Sequence, residues 1–193
     1  MLGTLIIVTG LSGSGKTTLV DHALQVFTGA ERVISCTTRK PRIGEENGVH
    51  YRFFSHKEFC ARKRTGEFAE DARVYKQRYG TLKKDISETL EAQRLVFLVV
   101  DIQGALTLSN IYPDARVLFI TTATNELTAR LEERGASPED IALRIAAVKE
   151  ERAMMLKLES VSILENRNGA LDITKSRFCL LVDEACTIPP NVP

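Results

Sequence analysis

The sequence predicts an α/β protein built on a mostly parallel sheet flanked by helices. Leu5 to Thr9, Leu95 to Val100 and Arg116 to Thr121 are short runs that are apolar on every side. Helix-spaced segments separate them, and the first run ends in a Gly/Ser cluster that opens an amphipathic stretch. A strand that is apolar on both faces needs cover on both faces, and helices crossing between parallel strands supply it.

Taken in order, Leu5 to Thr9 reads as the first strand. Thr17 to Phe27 follows as a helix through Leu19, Val20, Ala23, Leu24 and Phe27. Residues 35 to 81 break the rhythm. Lys40-Pro41-Arg42-Ile43-Gly44 and Glu46-Asn47-Gly48 are turn chemistry, followed by short mixed pieces at His50 to Ser55 and Glu67 to Ala72, which reads as an inserted subdomain. Residues 125 to 157 are long, charged and helical, interrupted at Arg134-Gly135-Ala136-Ser137-Pro138-Glu139, where Ser137 is placed to cap a new helix before Pro138. Ile163-Leu164-Glu165-Asn166 reads as a last strand, and a closing helix lies around Ala170 to Ala185. The tail from Ile188 to Pro193, with three prolines, cannot continue it and is expected to fray.

The 193 residues, 44% of them hydrophobic, suffice for one domain with its own core. The 26 Lys and Arg against 25 Asp and Glu leave a formal net charge of +1, so no global field holds a nucleic acid or an anionic membrane, and an anion site must be local. No apolar run approaches the roughly 20 residues that cross a bilayer, and the N-terminus has neither a basic flank nor a cleavage signal. A soluble, cytoplasmic protein is expected. Cys36, Cys60, Cys179 and Cys186 form no C-x-x-C pair and have no His at metal spacing, which argues against structural zinc or a disulfide framework.

Gly10-Leu11-Ser12-Gly13-Ser14-Gly15-Lys16-Thr17 fits G-x-x-x-x-G-K-[ST] in full, after a strand and before a helix. Glycines permit the backbone to turn successive N–H groups inward around phosphates, and the helix adds its positive end. Lys16 then reaches the β- and γ-phosphates, and the Thr17 hydroxyl can coordinate Mg²⁺. The loop alone admits a GTPase, an ATPase or a small-molecule kinase.

Arg39 and Arg42 flank a proline, with a turn and Tyr51 beyond. Paired guanidinium donors suit a phosphate monoester, while a solvated basic turn or a nucleic-acid contact would use the same residues. Here the chain resembles guanylate kinase. The likeness runs from Ser35 to Phe53 and on through Gly66-Glu67-Phe68-Ala69-Glu70, Tyr79-Gly80-Thr81, Val100-Asp101-Ile102-Gln103-Gly104-Ala105, Pro113-Asp114-Ala115-Arg116 and Arg130-Leu131-Glu132-Glu133-Arg134-Gly135. It spans roughly residues 4 to 155 in unbroken order.

The resemblance implies a P-loop core (1–34, 82–124 and 146–193), a mixed α+β GMP-binding subdomain (35–81) and a helical lid (125–145). ATP would lie on Gly10 to Lys16, Thr17 and Thr18, with Arg130, Arg134 and Asn166. Arg39, Arg42 and the hydroxyls of Tyr51 and Tyr79 would hold the GMP phosphate. Ser35 would donate to guanine O6, Glu70 would accept from N1 and N2, and Thr81 and Asp101 would complete the base contacts. Adenine would set an amino donor against Ser35 and leave Glu70 unmatched, at about 1–3 kcal/mol per unpaired buried group.

Arg134 and Arg144 would join Lys16, Arg39 and Arg42 in stabilising the transferring group, although the interval from Arg134 to Arg144 is one residue short of the family's. On sequence alone, Arg130 to Arg134 also reads as a surface ion-pairing stretch beside Glu132 and Glu133. The partners implied are ATP and GMP alone, with no nucleic acid and no membrane, in a monomer or a homodimer.

Two positions depart from the family pattern. Val99 stands where the first acid of Asp-Ile-Asp is usual, which leaves Mg²⁺ to Thr17 and the phosphates, with Asp101 in the outer shell. Leu11 replaces a frequent proline, and the substitution is expected to be tolerated because this position need not donate its N–H. A non-catalytic phosphopeptide-binding module and a kinase of another phosphorylated acceptor are the alternative readings. The intact loop argues against the first, and Ser35, Glu70 and Thr81 argue against the second.

Overall fold

A computed structural model describes residues 3–74 and 76–187. The core opens with β1 (Thr4–Gly10), α1 (Lys16–Val26) and β2 (Ala30–Arg32). An insertion follows: β3 (Cys36–Thr37), β4 (Arg52–Phe53), α2 (His56–Arg64), β5 (Phe68–Val74) and β6 (Gln77–Leu82). The chain returns through α3 (Lys83–Ala92), β7 (Leu95–Val99), α4 (Ile102–Ile111) and β8 (Arg116–Thr121). Then come α5 (Thr124–Glu133), α6 (Pro138–Met155), β9 (Val161–Glu165) and α7 (Leu171–Thr187). The expected frayed tail, 188–193, lies outside the described residues.

Five parallel strands in the order β2-β7-β1-β8-β9 form the main sheet. The continuous apolar runs serve both faces, since alternate side chains point to opposite sides of a strand. Leu5 and Ile7 pack with Leu98 and Phe119 on one face, toward Ile86, Leu108 and Val148. Ile6 and Val8 pack with Phe97 and Leu118 on the other, toward Leu19, Val20 and Phe178. The insertion has its own sheet, β4-β3-β6-β5, antiparallel except for β3 with β4. A small separate cluster supports it, in which Phe59 of α2 stacks on Phe68 with ring centroids 4.4 Å apart.

The break at 134–139 forms as its chemistry requires. Gly135 takes φ 72°, and the N–H groups of Gly135 and Ala136 donate to the carbonyls of Glu132 and Leu131, closing α5. Ser137 Oγ then accepts the Asp140 N–H at 3.2 Å, with Pro138 in the first turn of α6. One boundary differs from expectation. The lid limit at 145 falls inside α6, which runs unbroken because nothing after Pro138 interrupts it and Ile141, Ile145 and Val148 pack on the first core cluster.

Candidate active site

β1 delivers the chain into a tight loop. Gly10 has φ 130°, and a Cβ there would lie 2.0 Å from the Ile120 carbonyl oxygen, so only glycine lets the loop pass β8 this closely. Leu11 corrects the expectation for its position. Its N–H donates to Ile120 O at 3.1 Å and its side chain is fully buried in the core, so it anchors the loop and offers phosphates no backbone donor. A proline there would forfeit that bond. α1 begins with neither a capping side chain nor an acid in its first turn, leaving its N-terminal N–H groups open to an anion, with Thr17 and Thr18 exposed beside them. Lys16 Nζ curls back to donate to Gly10 O at 2.7 Å and Leu11 O at 3.0 Å. Burial pushes its ammonium down to about 8; Glu151 and Asp101 favour the charge, whereas Arg134 and Arg144 oppose it.

Arginines from the helical pair face this loop. Arg144 donates to the Ser12 hydroxyl, so α6 brings it onto the loop despite the short interval from Arg134. Arg134 is pushed below the ordinary arginine range first by burial, then by repulsion from Arg42, Arg130 and Arg144, which places cations from both sides of the cleft within one field. Arg130 acts as a brace, donating to Asn168 Oδ1 at 2.8 Å, Asn166 O at 2.7 Å and Ser14 O at 3.4 Å. Asn166 is buried beneath the loop, its Nδ2 donating to Ser14 O at 2.8 Å.

Across the cleft, β5, β6 and the residue just before β3 line up a polar chain. Thr81 donates to Glu70 Oε1 at 2.8 Å, and Ser35 Oγ lies 3.4 Å from Thr81 Oγ1. With the Thr81 proton on Glu70, the Ser35 hydroxyl is the donor in that long contact and can turn to a better acceptor. Glu70 is 5% exposed. Burial pushes its carboxyl up to about 7, aided by Asp101 and Asp71 and opposed by Thr81. A carboxylate beside a hydroxyl in a dry pocket complements a ligand edge bearing donors next to an acceptor. Asp101 caps α4, its Oδ1 accepting the Gly104 N–H at 2.8 Å. Arg39 Nε donates to the Tyr79 hydroxyl at 3.3 Å, its guanidinium lies 5.4 Å from the centre of the Tyr51 ring, and the two tyrosine rings meet edge-on at 6.0 Å.

The guanylate kinase family model matches residues 2–168. The chain belongs to the guanylate kinase family. It is 41% identical over 174 residues to the guanylate kinase of Dechloromonas aromatica, covering 89% of this chain and 86% of that one. Against the guanylate kinase of Thermotoga maritima it is 32% identical over 178 residues, covering 91% and 86%. The crystal structure of guanylate kinase from Anaplasma phagocytophilum superposes with a TM-score of 0.76 at 22% identity, covering 97% of this chain and 88% of that one, a likeness of fold.

Within this guanylate kinase fold Val99 ends β7 opposite Val8 and packs half-buried on the second core cluster. Two carboxylates went unread in the sequence. Glu45 fills the fork of Arg39 with contacts of 2.8 Å at both terminal nitrogens. Glu151 lies on the inner face of α6, two turns beyond Arg144, and is held above the usual carboxylate range by burial against the attraction of Lys16. Helical spacing from Arg144 was the available signal for Glu151. For Glu45, six residues from Arg39, only the turn chemistry hinted at proximity. Among the described residues no helix is long and apolar enough to cross a membrane.

Proposed function

We propose that this member of the guanylate kinase family transfers the γ-phosphoryl group of ATP to GMP, and to dGMP, giving ADP and the nucleoside diphosphate. The observation that carries this is the pairing of two sites across one cleft: the phosphate loop with Lys16 on one side, and the Ser35–Thr81–Glu70 chain together with the cation of Arg42 on the other. Guanine would take the Ser35 proton at O6 and give its N1 and N2 protons to Glu70, with Asp101 and Thr81 at the edge. The acceptor phosphate would meet Arg42, the remaining N–H of Arg39 and the hydroxyls of Tyr51 and Tyr79.

A GMP phosphate oxygen attacks the γ-phosphorus in line as the bond to the β–γ bridging oxygen breaks and ADP leaves. That oxygen is already anionic, so no general base is needed. Lys16, Arg134 and Arg144 offset the spreading charge, and alignment with exclusion of water does the rest. Among the described residues no group of three His, Cys, Asp or Glu could hold a metal ion, which suits Mg²⁺ carried in by nucleotide phosphates better than a protein cage. Thr17 would hold it, with Asp101 in its outer shell, and the ion would supply positive charge to offset that of the phosphates.

The test is ADP formation from Mg·ATP with GMP, dGMP, AMP, UMP, CMP and ribose phosphates, using Lys16→Ala as the blank. Turnover confined to guanine nucleotides and lost in the blank supports the reading. Turnover of another acceptor overturns it. Val99 favours one second reading, a non-catalytic binding module, and GMP binding without ADP would select it.

A further inference from the structure

The turn that follows Arg39 carries a carboxylate whose bonds are of unusual quality for a surface loop. Glu45 Oε2 and Oε1 accept from Arg39 Nη1 and Nη2, each at 2.8 Å, and Oε2 also accepts the Arg42 backbone N–H at 2.7 Å. The pair is well covered, with side chains only 14% and 16% exposed. Arg39 donates further to Lys40 O at 2.7 Å and, through Nε, to the Tyr79 hydroxyl at 3.3 Å. Of the five N–H groups of a guanidinium this leaves a single one for a ligand. Burial works against a charge on Glu45, yet the bonds from Arg39 and the Arg42 N–H hold its carboxyl below the usual range.

Arg42 stands in the opposite condition. Its backbone is fixed by Glu45 while its side chain is exposed and its charge is felt by Arg134 across the cleft. For Arg39 to grip a phosphate with its fork, Glu45 would have to give up its two 2.8 Å bonds to Arg39 at a covered site, which leaves the carboxylate with the Arg42 N–H alone. Keeping Glu45 in place sacrifices nothing, because Arg42, the tyrosine hydroxyls and one N–H of Arg39 remain available.

We propose that Glu45 is a positioning residue of the acceptor-phosphate site, its carboxylate staying in the Arg39 fork when the acceptor binds, so that Arg39 braces the loop and Arg42 carries the phosphate charge. The proposal rests on the ATP:GMP reading above and assigns unequal tasks to two arginines that the sequence shows as a pair.

The test is steady-state kinetics of the full chain with GMP and ATP varied in turn, for wild type, Glu45→Gln, Arg42→Ala and the double variant. Glu45→Gln is expected to raise KM for GMP roughly tenfold, the effect of weakening one charge-assisted contact, while KM for ATP stays within about twofold. In the Arg42→Ala background the same change is expected to add less than about twofold, because Glu45 acts through the loop that presents Arg42. Unchanged ATP binding separates this from general unfolding. If Glu45→Gln does not fold, Glu45→Asp keeps the charge but is one methylene too short to reach the Arg39 fork from the same backbone position, and its KM for GMP is expected to rise with KM for ATP unmoved. An unchanged or lowered KM for GMP overturns the proposal, a lowered value being the mark of a carboxylate that the acceptor must displace. Failure of the wild type to phosphorylate GMP is a separate result that removes the underlying reading, and the proposal with it.

Discussion

Glu70 shows how burial sets the working state of a single residue. Its carboxyl sits at about 7 in the fold against an ordinary 4.5, chiefly through burial, so the folded chain holds the proton more tightly than the unfolded one. The stabilising contribution of that proton is fully present below about pH 4.5 and is lost as pH rises through 7. Its total is on the order of 3 kcal/mol. Wild type is therefore expected to lose stability between pH 5 and pH 8 relative to Glu70→Gln, measured as the urea midpoint of each at both pH values. Parallel profiles would sink the assignment. In the proposed recognition of guanine the dependence runs the other way, since Glu70 would have to be ionised to accept from N1 and N2. KM for GMP is expected to fall as pH rises through 7, and this dependence to vanish in Glu70→Gln. Gly10 makes a steric prediction at the same scale. Gly10→Ala sets a methyl 2.0 Å from the Ile120 oxygen at φ 130°, and is expected to cost more than about 3 kcal/mol of folding free energy in chemical denaturation.

At the scale of elements, the corner between α5 and α6 is the part most completely written in local sequence. Gly135 for the left-handed stop, Ser137 for the cap and Pro138 for the first turn are chemistry that acts over four residues, so the spacing was readable without any knowledge of packing. Ser137→Ala is expected to cost about 1 kcal/mol and to fray the start of α6. Gly135→Ala, with nothing within 4 Å of the added methyl, is expected to cost about 1–2 kcal/mol from the backbone alone. Hydrogen exchange of the first turn of α6 checks the cap, and an unchanged rate in Ser137→Ala would refute it. The strands were legible for a similar reason, because a run buried on both faces leaves its signature in consecutive residues. The two-residue strands β3 and β4 left none, since their pairing with each other, and that of β3 with β6, is decided by residues 16 and 42 to 44 positions away.

The whole molecule joins two independent sheets through a short crossing after Val33 and another after Leu82. The insertion has its own small cluster around Phe59 and Phe68, separate from the two clusters that sandwich the main sheet. Such a division predicts local opening of the insertion without loss of the core. In hydrogen exchange, GMP alone is expected to slow β3, β5 and β6, ATP alone the loop and the start of α1, and only the two together the corner between α5 and α6. Equal protection everywhere by either nucleotide would argue against a cleft closed from both sides.

The sequence by itself determined the α/β class, the phosphate loop, the inserted subdomain and the helix corner, because each is specified by residues that are neighbours along the chain. The family resemblance it carries further implied Lys16, Arg39, Arg42, Arg134 and Arg144 as cations around one site. Only the tertiary structure decided how they share the work. Leu11 became an anchor and Asn166 a prop for Ser14, while Arg130 became a brace, once distant backbone carbonyls came within reach of their donors. Arg39 and Arg42 look alike in the sequence, and Glu45 tells them apart because a carboxylate can fill one guanidinium fork at a time, a choice made by the path of the turn in space.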